Sequence, residues 1–199
     1  MAESLSSLAF QTFRDFEVIL VDDGYTDATQ QVAESFAVSL TLRVLANSVD
    51  SGVAASLNRG IAGGESLFIA RLDADDIAHP ERFAQQLALI DANPNVEVCS
   101  SDMPMFQTVA AGSSAVRRQP ATDAGIKAMM LQYNALSHPT VIVRRSFFDT
   151  VGLYDPAFDF AEDYELWRRG ALMGRYRAHL QSPLTCYRVH PGHVSQAKM

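Results

Sequence analysis

Apolar residues in the first half of the chain fall into short runs that alternate with segments of helical spacing. Runs rich in β-branched and aromatic residues predict strands at residues 16–21, 40–45, 66–72 and 95–101. Apolar spacing, capping residues and terminal proline or glycine predict four helices. The first covers residues 4–10, and the second runs from a cap at Thr26 or Asp27 to about Phe36. The third covers residues 53–60 and ends at Gly60, and the fourth runs from Pro80 to Asn93. This alternation predicts an α/β domain with a mostly parallel sheet flanked by helices.

The second half of the chain is less regular. Residues 107–124 are polar and rich in alanine, glycine and serine, which predicts a loop or an insertion at the sheet edge. A strand is expected at residues 140–143, and residues 163–169 are expected to begin a helix. The chain has 199 residues, 48% hydrophobic and 20% charged, with no internal repeat or clear linker. These values predict a single domain over residues 1–199.

Charge and cysteine content narrow the classes of protein. A formal net charge of −7 argues against binding to nucleic acid or to anionic membranes by charge alone. Cys99 and Cys186 form no CxxC pair, which favours a reducing compartment. No apolar run reaches the ~20 residues that span a bilayer, and the N-terminus does not resemble a signal peptide. We therefore expect no transmembrane segment and a cytoplasmic protein, with peripheral association with a membrane left open.

The most distinctive segment is the apolar run at residues 68–72, which leads into Asp73, Asp75 and Asp76. A buried strand would release these carboxylates together at its C-terminal end, where open α/β sheets bind ligands. Hard cations such as Mg²⁺ or Mn²⁺ bind one or two carboxylates together with substrate phosphates. The segment therefore predicts a divalent metal and a phosphate-bearing ligand; a solvated acidic turn is the alternative.

Four segments in order carry a resemblance to a known family: QTFRDFEVILVDDG at residues 11–24, LNRGI at 57–61, DADD at 73–76 followed by PER at 80–82, and the pair Glu162-Asp163. Over residues 4–195 the chain resembles the family 2 glycosyltransferases, which have a GT-A fold. The resemblance implies a GT-A-like, Rossmann-like sheet, a nucleotide-sugar donor that is UDP-linked, a divalent metal (Mg²⁺ or Mn²⁺), and transfer with inversion. It also implies a hydroxyl acceptor, saccharide or lipid-linked, in polysaccharide or glycoconjugate synthesis.

The resemblance assigns the donor side of the site. Asp22 and Asp23 match the nucleotide-contacting pair, with Asp23 at the base, although an acidic turn is the alternative. Asn58 belongs to the second matching segment and is assigned to the nucleotide-sugar. Asp73 is expected near the ribose and sugar and Asp75 on the metal, while Asp76 is expected to support the turn.

The resemblance also assigns the acceptor side and a C-terminal segment. Asp163, with Glu162 beside it, is expected to act as the general base that takes the acceptor proton; an acidic first helical turn is the alternative. Arg188 is expected to contact the diphosphate and His190 the metal, although a lone histidine is often structural. His138 is expected to be a packed or capping residue.

The chain departs from the family at its beginning. Members open with a strand and loop that cradle the uridine, whereas this chain begins in the following helix, so the fold is expected to be N-terminally truncated. Loss of that strand would leave unpaired backbone edges on both neighbours. A second copy of the chain, and so a homodimer, is one way to fill the gap. Tyr25, where many relatives have serine, is expected to change the nucleotide pocket.

Two other functions remain as alternatives. A truncated, non-catalytic remnant of the fold could serve as an interaction module. An aspartate-nucleophile phosphohydrolase fits less well, because its catalytic strand should open the domain. A calcium loop is excluded, because Ala78 and Ala84 occupy the positions that need glycine and glutamate.

Overall fold

A computed structural model describes residues 1–24, 28–109, 112–158 and 160–190. The helices within these residues are α1 (Ala2–Ala9), α2 (Thr29–Ser35), α3 (Val53–Gly63), α4 (Arg82–Ala92), α5 (Asp123–Met129), α6 (Arg145–Val151) and α7 (Glu162–Leu172). The strands are β1 (Val18–Asp22), β2 (Leu42–Ala46), β3 (Phe68–Ala70), β4 (Ile77–Ala78), β5 (Val96–Phe106), β6 (Ser113–Arg117), β7 (Ile142–Arg144), β8 (Tyr176–Pro183) and β9 (Thr185–Arg188). The α/β class is confirmed.

The strands form two sheets. β1 and β2 pair in parallel as a two-stranded sheet. A seven-stranded sheet has the order β3-β7-β5-β9-β4, with β6 and β8 also paired to β5. This larger sheet is mixed, because β8 and β9 run parallel to β5 whereas β6 and β7 run antiparallel to it.

Two hydrophobic clusters cover opposite faces of the larger sheet. Successive side chains of a pleated strand point to opposite faces of the sheet. In β5, Val98 belongs to the cluster formed with α3, α5, α6 and α7, whereas Cys99 belongs to the cluster formed with α1 and α4. Both residues are fully buried. Helices therefore pack on both faces of the sheet and hold it at the centre of the core.

Among the described strands, β1 and β3 each have a single neighbour. Among the described residues, β1 pairs with β2 and β3 pairs with β7, and no strand joins the two. Val18 of β1 and Phe68 of β3 nevertheless pack against the same hydrophobic cluster. The two sheets are thus covered by shared helices without being hydrogen-bonded to each other.

Several predicted boundaries were wrong for identifiable reasons. α3 continues through Gly60 to Gly63, and Gly60 serves close packing on β1 rather than the helix end: a Cβ there would lie 3.3 Å from Val21 Cγ2. α4 begins at Arg82, two residues after Pro80. The strand predicted at 140–143 begins only at Ile142, as β7, because a 3-10 helix, His138–Thr140, precedes it. The predicted caps of α2, Thr26 and Asp27, lie outside the described residues.

The polar segment after β5 contributes an edge strand. β6 turns back to pair with the end of β5, from Met103↔Arg117 to Phe106↔Ser113, and all of its residues are exposed. This confirms the expected insertion at the sheet edge. The pattern of apolar residues in the sequence did not predict β6, because none of its residues is buried.

Candidate active site

Two parallel strands end side by side and bring polar residues together. Asp23 follows β1 and Asn47 follows β2, and Asn47 Nδ2 donates to Asp23 Oδ1 at 2.6 Å. The backbone amides of Ser51 and Gly52 donate to the same carboxylate at 2.9 and 3.0 Å. Burial alone would raise the pKa of Asp23, but these hydrogen bonds outweigh it and lower the pKa below its usual value. Asp23 is therefore held as an oriented anion.

Asp22, the other member of the predicted nucleotide pair, is the last residue of β1. Its carbonyl accepts a hydrogen bond from the Asn47 amide at 2.7 Å, which continues the parallel ladder. Tyr25, the unusual residue after this pair, lies outside the described residues.

Asp73 is paired with an arginine two residues earlier. Arg71 Nη1 donates to Asp73 Oδ2 at 2.5 Å, and Arg71 Nη2 contacts Asp73 Oδ1. The Asp73 carbonyl accepts hydrogen bonds from the Ser4 hydroxyl at 3.1 Å and from the Asp76 amide at 3.2 Å. The turn after β3 is thus tied to α1, and the Asp73 carboxylate is oriented by a two-point contact.

Asp75 meets the C-terminal segment. Its Oδ2 lies 3.1 Å from His190 Nε2, and its carbonyl accepts a hydrogen bond from Arg188 Nε at 2.8 Å. The structure therefore brings together the two residues predicted as metal ligands, which are 115 positions apart in the sequence.

Arg188, predicted as a diphosphate contact, has several partners in the protein. Its Nη2 is 2.6 Å from Glu3 Oε2, its guanidinium stacks 4.5 Å from the Phe106 ring centroid, and its side chain is 18% exposed. Its backbone amide donates to Asp76 Oδ1 at 2.9 Å. These contacts join the DADD turn to β9, and a role toward diphosphate stays a prediction.

Asp76 supports the turn from a fully buried position. Burial raises its pKa to about 7, against the effect of the hydrogen bond from the Arg188 amide, and the charges of Asp73 and Asp75 add to the increase. A carboxyl of this kind suits an internal structural role better than exposure to a ligand.

Asp163 lies in the first turn of α7, where it is partly withdrawn from water. Asn134 Nδ2 donates to its Oδ2 at 2.6 Å, and the Tyr164 amide donates to its Oδ1 at 2.7 Å. Burial raises the pKa of Asp163, while Asn134, Tyr164 and the positive charge of Arg71 oppose that increase. A carboxylate with a raised pKa and a fixed orientation can accept a proton. Glu162 beside it is buried.

Asn58 connects α3 to the segment before α7. Its Nδ2 donates to the Tyr154 carbonyl at 2.8 Å, and its Oδ1 accepts from the Tyr154 amide at 3.0 Å. The Tyr154 hydroxyl in turn lies 2.8 Å from Nε2 of the buried His138. His138 is confirmed as a packed residue, and burial lowers its pKa well below its usual value. Nucleotide-sugar binding by Asn58 stays a prediction.

Sequence reasoning missed four residues of this region: Arg71, Asn47, Asn134 and Tyr154. A signal existed for two of them. Arg71 is two residues before Asp73 and so shares its side of an extended chain, and Asn47 directly follows a strand. Asn134 and Tyr154 lie in loops, and their roles depend on contacts with residues 29 and 96 positions away.

The residues of this region supply only some of the ligands that a metal ion needs. Across the ranges that the structure describes, no three His, Cys, Asp or Glu side chains gather closely enough to hold one. The Asp75–His190 pair supplies a carboxylate and an imidazole. Two protein ligands suffice for Mg²⁺ or Mn²⁺ when substrate phosphates complete the coordination.

None of the described helices has both the length and the apolar character needed to cross a membrane.

The chain is similar to a solved structure and to several relatives. The crystal structure of S. aureus TarS 1-349 in complex with UDP aligns with a TM-score of 0.76 and 25% identity, covering 95% of this chain and 56% of that one. A Haemophilus influenzae protein described as an uncharacterized glycosyltransferase is 27% identical over 97% of this chain and 62% of its own. The amylovoran biosynthesis glycosyltransferase AmsE of Erwinia amylovora is 28% identical over 100% of this chain and 74% of its own.

The chain thus spans about three fifths of the Haemophilus relative. The solved neighbour supports the expected GT-A architecture. The model of the family described as glycosyl transferase family 2 matches residues 1–152, which is more than half of the chain. The chain belongs to glycosyl transferase family 2.

Proposed function

We propose that this chain transfers a sugar from a UDP-linked donor to a hydroxyl group of a saccharide or lipid-linked acceptor, with inversion at the anomeric carbon and with a divalent metal. Family membership supports a glycosyltransferase. The relative AmsE is named for amylovoran biosynthesis, which favours a role in polysaccharide or glycoconjugate synthesis. The TarS neighbour binds UDP in its crystal structure, which favours a uridine donor.

The observation that carries this proposal is the contact between Asp75 and His190. The two side chains come from the DADD turn and from the end of β9, and their oxygen and nitrogen atoms approach to 3.1 Å. Asp75 and His190 would hold Mg²⁺ or Mn²⁺ together with the donor diphosphate. Such a metal supplies positive charge that offsets the charge on the departing nucleotide.

Asp23 and Asp73 would orient the donor. The Asp23 anion is fixed by Asn47 and two backbone amides, so it can accept hydrogen bonds from a nucleobase or ribose at little cost in side-chain freedom. Asp73 is held by Arg71 and can accept from sugar hydroxyls. Arg188, the last residue of β9, lies two residues before His190 and would contact the diphosphate.

Asp163 would act as the base. Its carboxylate would remove the acceptor proton while the acceptor oxygen attacks the anomeric carbon from the face opposite the nucleotide. Asn134 fixes the orientation of the carboxylate, and the raised pKa strengthens it as a proton acceptor. One displacement of this geometry inverts the anomeric centre.

The test separates binding from transfer. The purified chain is melted with UDP, GDP or dTDP, each with and without Mn²⁺, and transfer from UDP-sugars is measured in parallel. We expect a Mn²⁺-dependent increase in Tm with UDP. Asp75→Ala should abolish this increase, and Asp163→Asn should keep it while removing transfer.

Two exposed aspartates provide matched controls: Asp91→Ala for the first variant and Asp149→Asn for the second. An unchanged UDP-dependent Tm in Asp75→Ala would contradict the metal assignment. A cooperative melt with no shift for any nucleotide, and no transfer, would favour the non-catalytic remnant instead.

A further inference from the structure

The segment that follows α5 is tied at both ends to the first turn of α7. Tyr164 Oη donates to the Met130 carbonyl at 2.6 Å, and Asn134 Nδ2 donates to Asp163 Oδ2 at 2.6 Å. Residues 131–133 lie between these two contacts, and their backbone amides donate to carbonyls at the end of α5. The turn formed by residues 131–133 is therefore fixed beside the carboxylate that we propose as the base.

Two large apolar side chains of this turn are exposed to solvent. Leu131 is 81% exposed and Tyr133 is 67% exposed. Single exposed apolar residues are common on protein surfaces. Here two of them occupy one short turn, and hydrogen bonds of the backbone, rather than packing of these side chains, hold the turn in place. They present an apolar surface to a ligand that approaches Asp163.

An arginine of β6 lies beside the same turn. Arg117 is the last residue of β6, and its Nη2 donates to the Asn134 carbonyl at 3.0 Å. Arg117 is exposed, and this contact with a carbonyl does not neutralise its charge. Asn134 thus contacts Arg117 through its carbonyl and Asp163 through its side-chain amide. A cation, an apolar turn and the proposed base are joined through one asparagine.

The charge of this region is opposite to that of the whole chain. Residues 103–136 contain three basic residues and one acidic residue, whereas the chain has a formal net charge of −7. The acidic residue, Asp123, is paired with Lys127 at 2.7 Å. Arg118, which follows β6, is 74% exposed and lies 3.7 Å from a carboxylate oxygen of the buried Asp102. Exposed cations therefore predominate beside the turn, which favours a negatively charged ligand.

A ligand that fits this surface combines two properties. Exposed apolar side chains gain free energy by contact with an apolar chain, and an arginine forms charge-assisted hydrogen bonds with phosphate oxygens. A free saccharide has neither an apolar chain nor a negative charge. A saccharide joined to a lipid through phosphate has both, and it also carries the hydroxyl groups that the transfer reaction needs.

We propose that Arg117, Leu131 and Tyr133 bind the acceptor, and that this acceptor is a saccharide joined to a lipid chain through phosphate. Arg117 would contact the phosphate, and the two apolar side chains would contact the lipid. Asn134 fixes this surface relative to Asp163, so that binding of the phosphate brings the saccharide hydroxyl toward the base. The inference rests on the proposed function and selects one of the two acceptor classes named there.

The first measurement is of binding and needs no transfer. Farnesyl phosphate has the apolar chain and the phosphate, farnesol lacks the phosphate, and inorganic phosphate lacks the chain. Calorimetric titration of the chain with each compound gives the three affinities. We expect farnesyl phosphate to bind about 10-fold more tightly than either of the other two, because only this compound makes both kinds of contact.

Three substitutions assign the binding to this surface. Arg117→Gln removes the charge, Arg117→Lys keeps it, and Leu131→Ser removes an apolar side chain. We expect Arg117→Gln and Leu131→Ser each to weaken farnesyl phosphate binding about 3–10-fold, and Arg117→Lys to retain most of it. The matched controls are Arg14→Gln, at an exposed arginine that also donates to a backbone carbonyl, and Val38→Ser, at a side chain that is 98% exposed.

The second measurement is of transfer from a UDP-sugar. The acceptors are a panel of monosaccharides, each supplied as its farnesyl phosphodiester and as its methyl glycoside. We expect kcat/KM to be about 10-fold higher for the farnesyl phosphodiester of the monosaccharide that accepts the sugar. Arg117→Gln should raise the KM for this acceptor and leave kcat nearly unchanged, because the arginine binds the acceptor and takes no part in proton transfer.

Melting curves check that the variants fold; because the substituted side chains are exposed, we expect an unchanged Tm. Farnesyl phosphate binding that is the same in Arg117→Gln and Leu131→Ser as in the unsubstituted chain would overturn the inference. Equal kcat/KM for the two acceptor forms would also overturn it and would favour a free saccharide. Absence of transfer to every acceptor would instead overturn the proposed function, whereas the farnesyl phosphate titrations would still decide whether this surface binds a lipid phosphate.

Discussion

Asp23 and Asp163 are aspartates in opposite environments. Asp23 follows a strand of the two-stranded sheet, accepts three hydrogen bonds and has a lowered pKa. Asp163 begins a helix packed on the seven-stranded sheet, and burial raises its pKa. A group that binds a ligand through hydrogen bonds benefits from staying ionised, whereas a base benefits from a stronger affinity for protons. Different environments around the same residue type can therefore support different roles.

The strand that leads to Asp23 is also less buried than the central strand of the larger sheet. All five residues of β1 are only partly buried, whereas nine of the eleven residues of β5 are buried. Asp23 thus follows a strand of the more exposed sheet, and Asp163 lies in a helix on the densely packed one. The following predictions test this contrast.

The largest expected effect concerns the packed side. Trp167 of α7 is fully buried against the rings of Phe147 and His138. We expect Trp167→Ala to lower the free energy of unfolding by about 3–5 kcal/mol, and Ile19→Ala in β1 by about 1–2 kcal/mol. Urea unfolding measures both. Equal losses would show that the two sheets contribute alike to stability.

Hydrogen exchange should show the same contrast without substitution. Amides in the centre of β5 are expected to exchange about 100-fold more slowly than amides of β1, because local opening requires less free energy where fewer apolar contacts are broken. NMR or mass spectrometry measures these rates. If β1 is protected as strongly as β5, the two-stranded sheet opens only with the whole fold.

Loss of one hydrogen bond should move the pH dependence of transfer. Asn134→Ala removes a donor that favours the ionised form of Asp163, so the pKa of Asp163 should increase further. The proposed base acts only when it is deprotonated. On acidification, kcat of the variant should therefore begin to fall at a higher pH than kcat of the unsubstituted chain. The kcat profile from pH 4 to 9 measures this. A shift toward lower pH would contradict the proposed role of Asn134.

The smallest effect is expected at the partly buried carboxylate of Asp23. Asn47→Ala removes the corresponding donor to Asp23, and we expect UDP to bind about 2–10-fold more weakly, with no change in the pH midpoint of kcat. Calorimetric titration with UDP measures the affinity. A shift of the kcat midpoint equal to that of Asn134→Ala would remove the distinction between the two aspartates.

The sequence predicted the fold unevenly. Apart from the two-residue β4, the elements from α1 to α4 were anticipated, because strong apolar runs alternate with helical spacing there. The later elements α5, α6, β8 and β9 were not anticipated. β8 has mixed polarity, and its strand conformation depends on pairing with β5 through long-range contacts such as Ser100↔His179.

The site was predicted unevenly for a related reason. Resemblance assigned roles to Asp23, Asp75, Asp163 and His190. Arg71 was not singled out, because its two-point contact with Asp73 depends on side-chain placement that the motif does not show. Asn58 shows the same difficulty, since its amide is engaged by the backbone of Tyr154, 96 positions away. Neither contact leaves a local pattern.

The sequence by itself determined the α/β alternation, the carboxylates at strand ends and the membership of a family. The tertiary structure decided the contact of His190 with Asp75 and the two-point contact of Arg71 with Asp73. It also decided the opposite pKa shifts of Asp23 and Asp163. The physical reason is that periodicity and motifs act over a few residues, whereas burial, hydrogen bonding and charge depend on every group that folding brings near.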